Sequence, residues 1–80
     1  MAKSIHTPQY QRLCNLLIDA REAAGLTQAE LAKALDKPQS FVSKYERRER
    51  RLDVVELVHI ANRLGANPCD IINTIEQSET

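Results

Sequence analysis

Apolar residues recur every three or four positions in five separate stretches of the chain, a spacing typical of amphipathic helices. The first predicted helix runs from about Pro8 to Ala24, because Thr7 stands at an N-cap position and Pro8 suits the first helical position. Gly25 is placed to end this helix in a left-handed conformation. Its predicted inward stripe consists of Leu13, Leu17, Ala20 and Ala24.

Two short helices follow, separated by a tight turn. Thr27 and Glu30 predict a capping box that opens a second helix, from about Gln28 to Leu35. Its inward residues should be Leu31 and Leu35, with Ala32 allowing close approach of a neighbouring helix. The segment 36–38 interrupts the pattern, because a residue before proline is driven away from the helical region. Pro38 should then open a third helix, about residues 38–47, with Val42 and Tyr45 facing inward.

The last two predicted helices are also bounded by caps and a glycine. After a charged connector, residues 47–52, Asp53 and Glu56 form a second predicted capping box. The fourth helix ends at Gly65, and Asn67 caps a fifth that begins with Pro68. Their predicted apolar faces are Val54, Leu57, Val58, Ala61 and Leu64, and then Ile71, Ile72 and Ile75. With no strand pattern anywhere, the sequence predicts an all-α fold of five helices.

Length and composition favour one small domain. Eighty residues with 42% hydrophobic content can form a single core, so we expect one domain over 1–80 with an N-terminal tail at 1–7. No apolar run approaches the roughly 18 residues of a membrane span, and the polar opening lacks the apolar stretch of a secretory signal. We therefore expect a cytoplasmic protein without a membrane partner. Cys14 and Cys69 are interpreted as small core residues, with a redox switch or an intersubunit disulfide as the alternative.

Charge is distributed unevenly along a chain whose formal net charge is zero. Residues 33–51 carry seven lysines and arginines against three carboxylates, a net charge of +4. Residues 52–80 carry one arginine against five carboxylates, a net charge of −4. A basic middle of this kind attracts phosphate while the whole chain stays neutral, although a charged run is often no more than a solvated face.

The sequence offers little for catalysis. His6 and His59 are isolated, and neither has cysteine or carboxylate partners at metal-ligand spacing. No glycine-rich phosphate loop is present. We therefore predict no catalytic residue, no metal site and no cofactor, with His59 on the surface or in packing.

Three segments lie at fixed offsets: Gly25-Leu26-Thr27-Gln28-Ala29-Glu30-Leu31-Ala32, then Val42 with Tyr45-Glu46-Arg47, then Leu64-Gly65 with Asp70-Ile71-Ile72. Their order resembles the phage repressor and Cro type (XRE-like) of helix-turn-helix DNA-binding domain, over about Arg21 to Ile72. The resemblance implies a compact, five-helix, lambda-repressor-like domain. It also implies that the third helix enters the major groove of duplex DNA while the second lies across the backbone.

Site residues follow from this resemblance. The base-reading positions correspond to Gln39, Ser40 and Lys44. Glutamine can bind adenine in a bidentate manner, lysine can donate to guanine, and serine discriminates less. Phosphate-binding candidates are Thr27, Gln28, Ser43, Arg47, Arg48, Arg50 and Arg51, and Ser43 could instead contact a base. The alternative for each is a solvated polar residue or, for the arginines, helix termination and solubility.

Other positions have structural roles or depart from the family pattern. Arg21 and Glu46 occupy positions that pair in relatives, which implies a link between the first helix and the end of the third. Phe41 either packs on the core or touches a thymine methyl, and we favour packing. The usual turn glycine, helix cap and post-helix glycine are replaced by Asp36, Lys37 and Arg48.

The resemblance implies a transcriptional regulator, with repression as the default. A two-fold homodimer would read a palindromic operator, and the isoleucines of the fifth helix are its predicted interface, although core packing explains them equally well. An antitoxin or adaptor that binds another protein with the same fold is the alternative. The polar third helix beside four arginines favours DNA.

Overall fold

The computed structural model describes residues 7–77 and contains five α-helices in this range. They are α1 Pro8–Ala23, α2 Gln28–Leu35, α3 Gln39–Glu46, α4 Val54–Leu64 and α5 Pro68–Gln77. No strand occurs within residues 7–77, and the all-α prediction is confirmed. None of these helices is both long and apolar enough to cross a membrane. Residues 1–6, which include His6 and most of the predicted tail, lie outside the described residues together with 78–80.

Side-chain caps fix where α1, α2, α4 and α5 begin, as the sequence predicts. In the first capping box, the Glu30 N–H donates to Thr27 Oγ1 at 3.0 Å and the Thr27 N–H donates to Glu30 Oε1 at 2.9 Å. In the second, the Glu56 N–H donates to Asp53 Oδ1 at 2.7 Å, and the Asp53 N–H donates back to Glu56 Oε1 at 2.9 Å. α1 and α5 each have a single side-chain cap. The Tyr10 N–H donates to Thr7 Oγ1, and the Cys69 N–H donates to Asn67 Oδ1.

The turn from α2 to α3 depends on a left-handed residue. Asp36 has φ 58° and ψ 44°, a conformation that aspartate tolerates better than most non-glycine residues. The Lys37 N–H donates to Ala32 O at 2.9 Å across this turn, which satisfies a carbonyl of the last turn of α2. α2 therefore ends abruptly, and α3 packs against it.

Three helix boundaries differ from the prediction by one residue. α3 begins at Gln39, because Pro38 has an extended ψ of 154° and is the N-cap rather than the first helical residue. Proline has no polar side chain, so α3 starts without a side-chain cap hydrogen bond. α3 ends at Glu46, with Arg47 as its C-cap, and α1 ends at Ala23. Gly25 is left-handed at φ 75°, as predicted.

The core lies among all five helices. α1 packs against α3, α4 and α5, while α2 packs against α3 and α4. The buried apolar residues are Tyr10, Leu13, Cys14, Leu17, Leu31, Ala32, Val42, Tyr45, Leu52, Leu57, Ile60, Ala61, Leu64 and Ile71. The prediction of a core position for Cys14 is therefore confirmed.

Four residues that were predicted to face inward are exposed. Ala24 follows the end of α1 and faces solvent. Cys69 lies two residues before the buried Ile71 and so faces roughly the opposite way on α5, which makes its core assignment wrong. Ile72 follows the buried Ile71, so its side chain points to a different side of α5 and remains 43% exposed. Val54, at the first position of α4, is 62% exposed.

The buried stripe of α4 differs from the predicted one. It consists of Leu57, Ile60, Ala61 and Leu64, which are three or four residues apart and share one face. Ile60 is 1% exposed and was missed, whereas Val58 is only partly buried. The connector residue Leu52, rather than Val54, is buried just before this helix.

Two buried tyrosines differ in how their hydroxyl groups are satisfied. The Tyr10 hydroxyl donates to Arg50 O at 3.1 Å and accepts from the Leu52 N–H at 2.9 Å, which ties α1 to the connector. The Tyr45 side chain is fully buried, and its hydroxyl has no hydrogen-bond partner within residues 7–77. Desolvation by burial raises the pKa of Tyr45. A buried polar group without a partner is destabilising.

We expect Tyr45→Phe to leave the free energy of unfolding unchanged or to raise it, because the substitution removes an unsatisfied hydroxyl. Tyr10→Phe is the matched control and should lower it by about 1–3 kcal/mol, since the Leu52 N–H loses its acceptor. Urea unfolding followed by circular dichroism measures both. A loss in Tyr45→Phe as large as that in Tyr10→Phe would show that the Tyr45 hydroxyl is satisfied.

Candidate nucleic-acid interface

The outward face of α3 carries the predicted base-reading residues. Gln39, Ser40 and Lys44 are all exposed. Ser43 is partly buried, and its hydroxyl donates to Ser40 O at 3.3 Å within the helix. On the opposite side, Val42 and Tyr45 are fully buried and hold α3 on the core. The helix therefore offers hydrogen-bonding groups to a partner on one face only.

A shallow, open depression lies beside this face, and its lining includes Ser40, Phe41, Lys44, Glu49 and Arg50. Glu49 is not among the site residues predicted from the sequence. Its carboxylate accepts two hydrogen bonds from Arg47, at 3.0 and 3.2 Å, and this pairing lowers the pKa of Glu49. Glu49 places a negative charge among cations and so opposes phosphate at this point. Neither its residue type nor its spacing indicates that Glu49 belongs to the site, because it stands within a run of arginines.

The C-terminal end of α3 is fixed by a buried carboxylate. Glu46 is 6% exposed and accepts two hydrogen bonds from Arg21 of α1, from Nε at 2.8 Å and from a terminal guanidinium nitrogen at 3.2 Å. The side-chain amide of Gln28, at the start of α2, donates to the same carboxylate at 2.8 Å. Arg21 also donates to Leu26 O at 2.8 Å, and its hydrogen bond to Glu46 raises the pKa of Arg21. One carboxylate thus joins three helices.

This arrangement affects two of the predicted phosphate ligands. The Gln28 side-chain amide has two N–H donors, and one of them is directed at Glu46, so a phosphate can use only the other. Thr27 is exposed, and its oxygen accepts from the Glu30 N–H, which leaves the hydroxyl proton to donate elsewhere. Of the two, Thr27 is the more available to a phosphate.

The four arginines of the connector have different surroundings. Arg47 is exposed and paired with Glu49. Arg48 is partly buried and left-handed at φ 61°, at the position where the resembling family usually has glycine. Arg51 is exposed, with its guanidinium carbon 5.1 Å from the centroid of the Tyr10 ring.

Arg50 differs from the other three because it is bound on several sides. Its guanidinium donates to both carboxylate oxygens of Glu56, at 3.0 and 2.8 Å. It also lies 4.7 Å above the centroid of the Phe41 ring. Phe41 is partly buried against the core and meets Tyr45 edge to face, with ring centroids 5.7 Å apart, so the packing interpretation of Phe41 is confirmed.

Metal-ligating groups do not converge in this region or elsewhere in residues 7–77, where no cluster of three or more histidine, cysteine or acidic side chains could hold a metal ion. His59 lies exposed on α4, which agrees with its predicted surface position.

Comparison with known proteins identifies relatives of this fold. A family model described as Helix-turn-helix matches residues 17–71. An XRE-family like protein from Pseudomonas syringae pv. tomato str. DC3000 is 50% identical, with a TM-score of 0.85 over 92% of this chain and 90% of that chain. The clp gene regulator ClgR from C. glutamicum is 24% identical and shares the fold, with a TM-score of 0.78 over 94% of this chain and 97% of that chain. No curated protein matches the sequence significantly.

We expect Arg21→Met to lower the free energy of unfolding by about 3 kcal/mol, because it leaves the Glu46 charge buried with Gln28 as its remaining side-chain donor. Arg47→Met is the matched control. It breaks the Arg47–Glu49 pair, in which both side chains are more than half exposed, and should have little effect. Urea unfolding of both variants makes the comparison. Similar small losses in the two would mean that the buried pair does not hold α3.

Proposed function

This chain belongs to the helix-turn-helix family of DNA-binding transcription regulators, and we propose that it is a sequence-specific repressor that reads duplex DNA with α3. Members of this family act by binding and not by catalysis. One observation carries the proposal: the exposed polar face of α3, formed by Gln39, Ser40 and Lys44, stands on a fully buried inner face.

The three exposed side chains of α3 supply a coherent set of base contacts. The major groove is about 12 Å wide and admits a helix, so residues on one face reach adjacent base edges. Gln39 can exchange two hydrogen bonds with adenine, and Lys44 can donate to guanine O6 or N7. Ser40 lies one helical turn before Lys44 and adds a less selective contact.

Phosphate contacts would flank this face. Thr27 and the free N–H groups in the first turn of α2 are suited to one phosphate. Ser43, Arg47, Arg48 and Arg51 are candidates for others, and each arginine that neutralises a phosphate releases counterions. Gln28 would join them through the amide N–H that Glu46 does not use.

A homodimer on a palindromic operator completes the proposal, because one domain reads only a few base pairs. Two recognition helices on successive turns of DNA would lie roughly 34 Å apart. On α5, Ile71 is buried and Ile75 partly buried, whereas Ile72 and Cys69 are exposed three residues apart on one face. Ile72 is therefore the candidate dimer contact. A bound dimer represses by occupying DNA that polymerase needs, and such a regulator works in the cytoplasm.

The test is selection of bound duplexes from random DNA at about 150 mM salt, where non-specific contacts are already weakened. We expect an inverted-repeat motif with half-sites one helical turn apart. A single, unrepeated half-site would contradict the dimer but keep the DNA-reading function. Recovery of no motif would overturn sequence-specific binding and favour the antitoxin or adaptor alternative, in which the partner is a protein.

Within the recovered motif, Lys44→Ala should cost about 1–3 kcal/mol of binding free energy and relax base choice at one position. Arg51→Ala should weaken all sequences similarly and flatten the dependence of affinity on salt. Fluorescence titration of the motif and its single-base variants over a range of salt concentrations separates the two effects. Equal, sequence-independent losses from both substitutions would remove Lys44 from the reading role.

A further inference from the structure

Arg50 joins three parts of the structure. Its guanidinium donates to both oxygens of the Glu56 carboxylate, at the start of α4, and one of its nitrogens also donates to Arg51 O at 3.1 Å. The guanidinium carbon lies 4.7 Å from the Phe41 ring centroid on α3. The Arg50 carbonyl accepts from the Tyr10 hydroxyl of α1. The side chain and the backbone of Arg50 are thus both fixed within the protein.

These contacts lie on the side of α3 that does not pack against α1 or α2. The principal helix contacts of α3 are with α2 and α1. Toward α4, Phe41 and Glu56 instead face each other across Arg50, and Lys37 lies 5.5 Å from the same ring centroid. We call Phe41, Arg50 and Glu56 the Arg50 clamp. The clamp lies between α3 and α4 near the start of α3, where no side-chain cap is present.

The charge of Arg50 is already compensated in the free protein. Two parallel hydrogen bonds to one carboxylate are the strongest arrangement available to an arginine. They raise the pKa of Arg50 and lower the pKa of Glu56. Glu56 and the Arg51 carbonyl take three of the five guanidinium N–H groups, so a phosphate would reach at most two of them and would lie close to the Glu56 carboxylate. A guanidinium whose charge is already paired with a carboxylate also contributes little to counterion release.

We propose that Arg50 is a positioning residue, which sets the orientation of the recognition helix through Phe41 and Glu56, and that it is not a phosphate ligand. The inference rests on the proposed function, in that α3 must read DNA for its orientation to matter to binding. It differs from the role that the resemblance implies for Arg50. It also gives Glu56 a second task besides capping α4.

The substitution Glu56→Gln tests this role, because glutamine keeps an acceptor for the Asp53 N–H but loses the charge that holds Arg50. The matched control is Glu30→Gln, in the other capping box, where the carboxylate has no arginine partner within residues 7–77. Both variants are titrated with the selected duplex and with a scrambled duplex over about 50 to 200 mM salt.

We expect Glu56→Gln to bind the selected duplex about tenfold more weakly than Glu30→Gln does, since misplaced reading groups lose their contacts. Binding to the scrambled duplex and the slope of affinity against salt should match the control. If Arg50 is a phosphate ligand, Glu56→Gln instead frees it, strengthens binding to both duplexes and steepens the salt slope by up to about 0.9. Behaviour identical to Glu30→Gln would equally overturn the proposal.

A second variant covers the case in which Glu56→Gln does not fold. Arg50→Lys keeps the charge but loses the planar fork and its stacking on Phe41. A positioning role predicts the same selective loss on the selected duplex with an unchanged salt slope. Full retention of binding by Arg50→Lys would support a phosphate contact, for which a lysine charge suffices, and would overturn the clamp.

Hydrogen exchange of the α3 amides in the free protein separates failure of the clamp from failure of the proposed function. We expect faster exchange in α3 for Glu56→Gln and Arg50→Lys than for Glu30→Gln, with α1 unchanged. If the wild type prefers no duplex, the proposed function fails, and this measurement alone decides whether Arg50 holds α3. Unchanged α3 exchange in both clamp variants overturns the positioning role.

Discussion

The position of α3 depends first on a carboxylate buried at its last residue. The negative end of the helix dipole disfavours an anion there, and burial adds a desolvation cost, so Glu46 requires strong donors. It finds them on two other helices, in the guanidinium of Arg21 and the amide of Gln28. Because each donor bonds in a fixed direction, satisfying the charge also orients α3 relative to α1 and α2. The buried charge of Glu46 thus fixes the orientation of α3.

The opposite end of α3 is held by different means. Asp36 reverses the chain in a left-handed conformation, and Pro38 begins the helix without a side-chain cap. The start of α3 is therefore set by backbone geometry alone. Val42, one turn later, is buried in the core. Phe41 then gains the guanidinium of Arg50 on its exposed side. Buried charge at one end and aromatic stacking at the other constrain a helix of only eight residues.

Local sequence signals predicted the helices, because caps, glycines and proline act through neighbouring backbone atoms. The capping boxes at Thr27 and Asp53 and the left-handed Gly25 are as expected. The burial of Ile60 in place of Val54 could not be predicted from the same window, because two apolar stripes on α4 are nearly equivalent until the other helices pack on one of them. Helical spacing therefore limits which residues of α4 can be buried together, but it does not determine which of the two stripes is buried.

Prediction of the candidate site divides in the same way. Exposure of Gln39, Ser40 and Lys44 follows from their place on an amphipathic helix, and the structure leaves them exposed. The partners of Gln28 and Arg50 lie 18 and 6 residues away, and no periodicity within one helix specifies such pairs. A count of charges along the sequence treats every arginine as free. Hydrogen bonds to carboxylates, which only the structure reveals, distinguish the paired arginines from the others.

Carboxylates near the candidate interface thus pair with arginines, which the net charge of zero does not reveal. Glu46 and Glu56 each accept two hydrogen bonds from one arginine, which removes two cations from the pool that can attract DNA, and Glu49 pairs with the exposed Arg47. Non-specific attraction grows with every free cation, but base reading depends on the placement of a few side chains. In the proposed function, Arg21 and Arg50 orient α3 through their carboxylates while Lys44 stays exposed, which would favour placement over general attraction. Selectivity for a DNA sequence would benefit from that balance, because competing sites share the phosphate backbone and differ only in their bases.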